Sequence, residues 1–337
     1  MPTPSPHPAL LAGVITLLSA PAVSLAQSSS ESSTVEPAPM TLPAISVSAT
    51  GLPAYMADKP TSVATKTELP PRQTPFSVDQ ATEELMQDRG DQDVFDTLEG
   101  FAGLTTSSTG WDDGASHIRN IQVRGVTSHQ TLVNGIRMYN TTFSGSTVRG
   151  VDNLESVELL RGPAGLYYGS AEPGGVISYN YKRPEDKAAY VIGGNVDSEK
   201  SYGGMIDATG PLNEDATLMY RLVGSLKHHE NDQDEYFSEP KSGMVALTFK
   251  PDHRFESTLT YERIDKESIP EVENNFLIEE GPLAGDYYPV PKDFFWGSLN
   301  DRVKRKSDTV MWDGTWSETE ALKVRGGWFT TITNSPG

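Results

Sequence analysis

A glycine-rich segment that follows a strand-like run is the first candidate for chemistry, because such loops can cradle phosphates. The glycines start at Gly162 with the spacing G-x-x-G-x-x-x-G, and Pro163 interrupts them. Gly169–Gly174 has the spacing of a P-loop, but Gly175 stands where the phosphate-binding lysine belongs. The segment therefore does not predict a nucleotide site.

A cluster of histidines and carboxylates is the second candidate, here for metal binding. It comprises His228, His229, Glu230, Asp232, Asp234 and Glu235. Nothing in the spacing fixes a ligand geometry, so a solvated loop is the favoured interpretation. The chain has no cysteine, which excludes disulfides, thiolate-bound zinc and thiol catalysis. With no nucleophile or acid–base pair in evidence, we expect neither an enzyme nor a resident metal or cofactor.

The overall charge argues against nucleic acid as a partner. Asp and Glu number 46 against 27 Lys and Arg, giving a net charge of -19, whereas phosphate binding needs a basic surface. The single long apolar run, Ala9–Ala20, is shorter than the roughly 20 residues of a membrane-spanning helix.

The first 26 residues are typical of a secretory signal peptide. Ala9–Ala20 supplies the apolar stretch, and Ser24 and Ala26 place small residues before a cleavage point at Gln27. No later segment could stop transfer, so the mature chain is expected to leave the cytoplasm. Residues 27–61 form a flexible linker rich in Ser, Pro and Thr. Within it, Leu42–Ala49 alternates like a lone strand, which favours pairing with a partner's sheet.

Residues 62–184 predict a compact α+β domain with a small mixed sheet. Helices are expected at Asp79–Asp88, with Asp79 as N-cap and Gly90 as stop, and at Asp93–Gly100. Asn134-Gly135 predicts a two-residue hairpin turn. Further strands are expected at Gln122–Arg124, Thr131–Val133, Val157–Leu160 and Val176–Tyr181.

Residues 185–337 carry a different pattern, in which apolar and polar side chains alternate through about seven strands. Leu218, Leu222 and Leu226 lie on one face of such a strand, for example. This alternation is typical of a transmembrane β-barrel wall. A soluble β-sandwich would not explain Trp, Tyr and Leu at the outward positions of strand after strand.

The connections between these strands also alternate in length. Pro211–Asp215, Pro251–Arg254 and Ser317–Glu320 are short, whereas Glu230–Pro240 and Lys266–Val303 are long and polar. Outer-membrane barrels have this asymmetry between periplasmic turns and external loops.

Several stretches of the first domain together resemble the plug domain of TonB-dependent siderophore receptors. The residues that carry this resemblance are Gln73–Val78, Ile121–Gly125, Leu132–Arg137, Asn153–Gly169, Pro173–Ile177 and Lys182–Pro184. The resemblance implies an α+β plug domain followed by the first strands of an antiparallel transmembrane β-barrel of about 22 strands. It also implies an outer-membrane receptor that imports iron already chelated by a siderophore.

The same resemblance assigns roles to individual residues. TonB, with its inner-membrane energising complex, would pair with a TonB box at Ile45, Ser46, Val47, Ser48 and Ala49. Arg124 and Arg161 match positions that bind barrel glutamates and would hold the plug in place. The outward loops offer Trp111, Tyr139, Phe143 and Arg149 as siderophore contacts, because aromatic rings and a cation suit an anionic organic chelate.

Alternative hypotheses differ in the cargo that is carried or in the class of protein. The same architecture could carry cobalamin, a metallated peptide or a carbohydrate. A signalling transducer would need an extra periplasmic domain before the TonB box, and residues 27–41 are too few for one. About seven strands cannot close a 22-stranded barrel, so we expect a truncated chain that does not transport alone. The glutamates facing Arg124 and Arg161 are then expected past Gly337.

Overall fold

The structure is a computed structural model of the chain. It describes residues 60–107, 120–123, 126–127, 131–138, 150–162, 164–169, 174–198, 200–230, 232–269, 290–291, 293–295, 297–298, 300, 302–319 and 322–334. These residues form an N-terminal domain, up to residue 184, and one large sheet that follows it.

The N-terminal domain is built around a five-stranded mixed sheet with the order β1-β7-β8-β5-β6. Only β5 and β8 pair in parallel among these neighbours. The strands are β1 (Ser77–Thr82), β2 (Leu104–Ser107), β3 (Asn120–Val123), β4 (Val126–Thr127), β5 (Thr131–Val133), β6 (Ile136–Met138), β7 (Leu154–Arg161) and β8 (Gly175–Tyr181). Strands β2, β3 and β4 form a separate small sheet. The predicted small mixed sheet is confirmed.

The helices of this domain are short. They are a 3-10 turn at Pro71–Gln73, α1 (Glu83–Arg89), α2 (Val94–Glu99) and α3 (Gly165–Tyr168). Within the described residues, no helix has the length and apolar character needed to span a bilayer.

The predicted start of the first helix is wrong. Asp79 is not its N-cap, because residues 77–82 pair with β7 as strand β1. The helix begins at Glu83, where the Thr82 hydroxyl accepts a hydrogen bond from the Leu85 N–H. Gly90 ends the helix in the left-handed conformation, as predicted. Sheet pairing with β7 thus overrides the local helical preference.

Two other local predictions are confirmed. Asp93 caps α2 through a capping box with Asp96. Asn134 and Gly135 both have positive φ, +47° and +79°, between β5 and β6. These are the angles that a type I′ hairpin turn requires.

The large sheet contains seven antiparallel strands, as predicted, each paired with its neighbours in the chain. They are β9 (Ala189–Val196), β10 (Tyr202–Pro211), β11 (Leu218–His228), β12 (Phe237–Phe249), β13 (Phe255–Ile269), β14 (Val303–Thr319) and β15 (Leu322–Asn334). Strands β9 and β15 lie at opposite ends, so the sheet is open in the described residues. Two predicted loops are shorter than expected, since β12 starts at Phe237 and β13 continues to Ile269.

The two faces of the large sheet differ as the alternation predicts. Leu222 is 43% exposed on the outer face, while its neighbour Val223 is 3% exposed on the inner face. The inner face packs against the N-terminal domain, because Val223, Met244 and Met311 belong to the same apolar cluster as its helices and strands β7 and β8. A second, smaller cluster lies within the N-terminal domain and comprises Val63, Ala64, Leu132, Leu160, Ala164 and Val176.

Candidate functional site: the interface between the N-terminal domain and the large sheet

Most of the residues predicted to be functional lie outside the described residues. These are Ile45, Ser46, Val47, Ser48, Ala49, Trp111, Arg124, Tyr139, Phe143 and Arg149. Their roles stay predictions. The exception is Arg161, whose surroundings the structure defines.

Arg161 ends strand β7, where its guanidinium forms an ion pair with Asp79 of the neighbouring strand β1. This partner belongs to the N-terminal domain itself and not to the large sheet. The Nε of Arg161 is also buried, and within the described residues it has no hydrogen-bond partner. Arg161 therefore ties β1 to β7 and retains one buried donor for a further acceptor.

Lys182, which directly follows β8, is the most deeply buried cation of the interface. Its side chain is 1% exposed, and its Nζ lies 2.7 Å from Glu83 Oε1 of α1 and 3.1 Å from Asp207 Oδ2 of β10. Asp207 also accepts two hydrogen bonds from Arg221 of β11, at 2.9 and 2.7 Å. Burying charges is costly unless they are paired, and here each has an opposite charge. The network joins the end of the domain to β10 and β11.

Arg183 binds a different part of the large sheet. Its Nη2 lies 2.7 Å from Asp313 Oδ2 of β14, and its Nη1 donates to Thr258 Oγ1 of β13 at 3.3 Å. A longer contact of 3.6 Å reaches Glu256. Lys182 and Arg183 thus connect the domain to two pairs of strands, β10 with β11 and β13 with β14.

Glu262 is a carboxylate of the large sheet that points into the N-terminal domain. It is 2% exposed on the inner face of β13. It accepts hydrogen bonds from Tyr181 Oη at 2.6 Å and from Asn153 Nδ2 at 3.0 Å. Sequence reasoning did not single out Glu262, and its expectation that the glutamates facing Arg124 and Arg161 lie past Gly337 stays a prediction. A charged residue among the inward-facing positions of β13 was the available signal.

A further ion pair joins the sheet to the turn before β7. Lys227 Nζ of β11 lies 2.8 Å from Asp152 Oδ2, and both side chains are largely buried. The same Nζ donates to the Gln92 carbonyl at 3.3 Å, in the turn between α1 and α2. Together with Lys182, Arg183 and Glu262, this pair attaches the domain to strands β10, β11, β13 and β14.

Inside the N-terminal domain, Glu158 of β7 is a second buried carboxylate. It is 3% exposed and accepts hydrogen bonds from Thr61 Oγ1 at 2.7 Å and Gln80 Nε2 at 3.0 Å. Burial raises the pKa of Glu158, and these hydrogen bonds oppose that shift. Sequence reasoning did not single out Glu158, because its partners come from residues far away in the chain.

In the histidine and carboxylate cluster, His228 lies within hydrogen-bond distance of two carboxylates at the end of the large sheet. His228 Nδ1 lies 3.2 Å from Glu239 Oε1, and Nε2 lies 3.2 Å from Glu230 Oε1. The His228 ring stacks between Tyr202 and Phe237, with centroids 5.0 and 6.4 Å away. Across the described part of the chain, no group of His, Asp or Glu is arranged to hold a metal ion.

Comparison with protein families and curated proteins agrees with this division of the chain. Residues 70–176 match the family model described as TonB-dependent Receptor Plug Domain. The ferrichrome outer membrane transporter/phage receptor of Escherichia coli K12 is 27% identical over 290 residues, covering 84% of this chain and 38% of that protein. The ferrioxamine B receptor of Salmonella typhimurium LT2 is 25% identical over 284 residues, with 78% and 38% covered. The chain therefore spans less than two fifths of these relatives' length.

Solved structures support the same fold. The pyoverdine outer membrane receptor of Pseudomonas aeruginosa PAO1, bound to pyoverdine, aligns with a TM-score of 0.72 at 22% identity. The alignment covers 85% of this chain and 41% of that receptor. At this identity the likeness establishes the fold: an α+β plug domain followed by the first antiparallel strands of a barrel.

Proposed function

We propose that this chain, in which a TonB-dependent receptor plug domain precedes the first strands of a barrel, belongs to an outer-membrane receptor that imports ferric siderophores with energy supplied through TonB. The observation that carries the proposal is the matched plug domain, residues 70–176, held by buried ion pairs against the inner face of a seven-stranded sheet. The named relatives, receptors for ferrichrome and ferrioxamine B, support siderophores as the cargo class.

Binding of the cargo takes place on the external side in this proposal. Trp111, Tyr139 and Phe143 supply aromatic surface for the organic shell of the chelate, and Arg149 meets its negative charge. Iron arrives already chelated, so the protein needs no resident cofactor and performs no covalent chemistry. The lipid of the outer membrane surrounds the apolar outer face, to which Leu222, Val245 and Trp328 contribute.

Energy enters from the periplasmic side through the TonB box. Ile45, Ser46, Val47, Ser48 and Ala49 form a short strand that TonB captures by pairing it with its own sheet. Strand pairing uses backbone hydrogen bonds and so demands little of the sequence. TonB and its inner-membrane energising complex then pull on the segment that enters the N-terminal domain at Thr61.

Arg124 and Arg161 hold the plug to parts of the barrel beyond the seven strands. The buried Nε of Arg161, which has no acceptor among the described residues, supports this role. The Nη2 of the same side chain remains engaged by Asp79. A carboxylate from a later strand would complete the coordination of the guanidinium.

Uptake of radiolabelled iron by cells that express the whole receptor tests the proposal. Ferric hydroxamates, catecholates and citrate are offered in turn, and a variant lacking residues 45–49 serves as the control. We expect uptake of one class that disappears in the variant. Absence of uptake and of tryptophan-fluorescence quenching with every ferric chelate would exclude siderophores as cargo. Cobalamin or a metallated peptide would then be the cargo to test, in an uptake assay that carries the label on that cargo.

A further inference from the structure

Within the described residues, which begin at residue 60, the segment that leads into the N-terminal domain is first attached at Thr61. Its N–H donates to the Leu69 carbonyl at 2.9 Å, and its carbonyl accepts a hydrogen bond from the Leu69 N–H at 3.2 Å. Its hydroxyl donates to Glu158 Oε2 at 2.7 Å in a buried position. Force applied upstream of residue 60 therefore reaches this hydrogen bond before it reaches the sheet.

Glu158 holds a second part of the same segment. Its Oε1 accepts a hydrogen bond from Gln80 Nε2 of strand β1 at 3.0 Å. One carboxylate on β7 thus binds both the entrance of the segment and its strand. Three residues further along β7, Arg161 pairs with Asp79 and adds a third polar contact. These two side chains add to the backbone pairing of Ser77–Thr82 with β7.

Residues 60–76 of this segment pack away from the large sheet, whereas Ala81 of β1 belongs to the apolar cluster that includes Val223, Met244 and Met311 of that sheet. Val63 and Ala64 cover the smaller apolar cluster, which contains Leu132 and Leu160 but no residue of the large sheet. The ion pair between Glu68 and Arg325, which does reach the large sheet, is solvent-exposed and contributes little. The buried contacts of Lys182, Glu262 and Lys227 come from other parts of the domain.

We propose that Glu158 is the anchoring residue that sets the force of the first rupture when the N-terminus is pulled and residues 60–82 begin to detach from β7. The proposal rests on the proposed function, in which TonB pulls on this segment. Loss of the shared carboxylate releases Thr61 and Gln80 together, so one side chain controls two attachments. Lys182 and Glu262 stay bound to the large sheet while the segment leaves.

Hydrogen–deuterium exchange of the intact receptor in outer-membrane vesicles, without TonB or siderophore, tests the anchor. Thr61→Val removes one donor while leaving Glu158 in place, and Glu158→Gln alters the acceptor. Thr65→Val is the matched control, because the Thr65 hydroxyl is exposed and donates to the nearby Thr67 carbonyl. We expect exchange in residues 60–82 to rise about tenfold in Thr61→Val, the effect of losing one hydrogen bond to a carboxyl group. Peptides from β8 and β10 should keep their wild-type rates.

Single-molecule pulling on the N-terminus of the membrane-embedded receptor supplies the second measurement. The first rupture should occur at lower force in Thr61→Val and Glu158→Gln, whereas Thr65→Val should match the wild type. Wild-type exchange and rupture force in both Glu158-contact variants would overturn the proposal. The proposal would also be overturned if these variants raised hydrogen exchange in β8 and β10 as much as in residues 60–82. Neither readout needs cargo or TonB, so a failure of siderophore uptake is distinguishable from a failure of the anchor.

Discussion

Lys182 and Asp207 form an ion pair across the boundary between the N-terminal domain and the large sheet, with Nζ and Oδ2 3.1 Å apart and both side chains almost completely buried. The lysine directly follows β8, and the aspartate projects from the inner face of β10. Their pairing places the end of the domain against the first strands of the sheet. Substitutions at this boundary should therefore separate attachment of the domain from folding of the barrel.

Replacing Lys182 by Met should be strongly destabilising. The change leaves Glu83 and Asp207 close together without the cation between them, and breaking a buried pair in this way costs about 3–5 kcal/mol. The thermal midpoint of the detergent-solubilised receptor should fall. Lys200→Met is the control, since the Lys200–Glu230 pair is solvent-exposed and its loss should leave the midpoint almost unchanged. Equal midpoints for the two variants would contradict the assigned role of Lys182.

Stability should depend on pH through Glu158. Burial raises its pKa above the unfolded value of about 4.3, so the folded state binds the proton more tightly. This contribution to stability is fully present below the unfolded pKa and is lost as pH rises through the folded pKa. The measurement is the midpoint of chemical unfolding between pH 4 and pH 8, wild type minus Glu158→Gln. If the difference in unfolding midpoint between wild type and Glu158→Gln stays constant over this pH range, Glu158 is not the source of the pH dependence.

Gly175→Ala should prevent normal pairing of β7 and β8. Gly175 has φ of +150°, and a Cβ there would lie 2.3 Å from the Leu160 carbonyl oxygen. Backbone strain alone costs on the order of 1–3 kcal/mol, and the collision adds to it. Gly243→Ala on β12 is the matched control, because a Cβ added at Gly243 would meet no atom within 4 Å. Trypsin digestion of the native receptor should cut the N-terminal domain faster only in Gly175→Ala.

Glu262→Ala should loosen the N-terminal domain without unfolding the sheet. The Tyr181 hydroxyl and the Asn153 amide would lose their acceptor in a buried site, at a cost of about 1–3 kcal/mol for each unsatisfied group. Hydrogen exchange should increase at the start of β7 and at the end of β8. Glu318→Ala, at an exposed position of β14, provides the comparison. Unchanged exchange near Tyr181 would mean that Glu262 does not hold the domain.

Features that depend on local sequence could be predicted well. The Asn134-Gly135 turn follows from the φ angles those residues tolerate, and the capping of α2 follows from Asp93. The seven strands follow from alternation, because the central strands have one face buried against the domain and the other face exposed. Local reasoning failed at Asp79, where pairing with β7 replaced the expected helical turn.

The contacts that join the two parts of the chain could not be predicted in the same way. In the sequence, Lys182 and Arg183 indicate only that a strand ends before Pro184. Their partners Asp207 and Asp313 lie on strands whose relative positions depend on the register of the whole sheet. Arg161 was expected to bind a barrel carboxylate, and its described partner is Asp79. This ion pair depends on the pairing of β1 with β7, which the sequence pattern did not predict.

The consecutive attachments of Lys182 and Arg183 restrict rotation as well as position. A single ion pair would let the domain pivot in any direction, whereas two ion pairs directed to β10 and to β14 leave only rotation about the line that joins them. The strands β10 and β14 of the large sheet therefore hold the end of the N-terminal domain in a fixed orientation, apart from this one rotation.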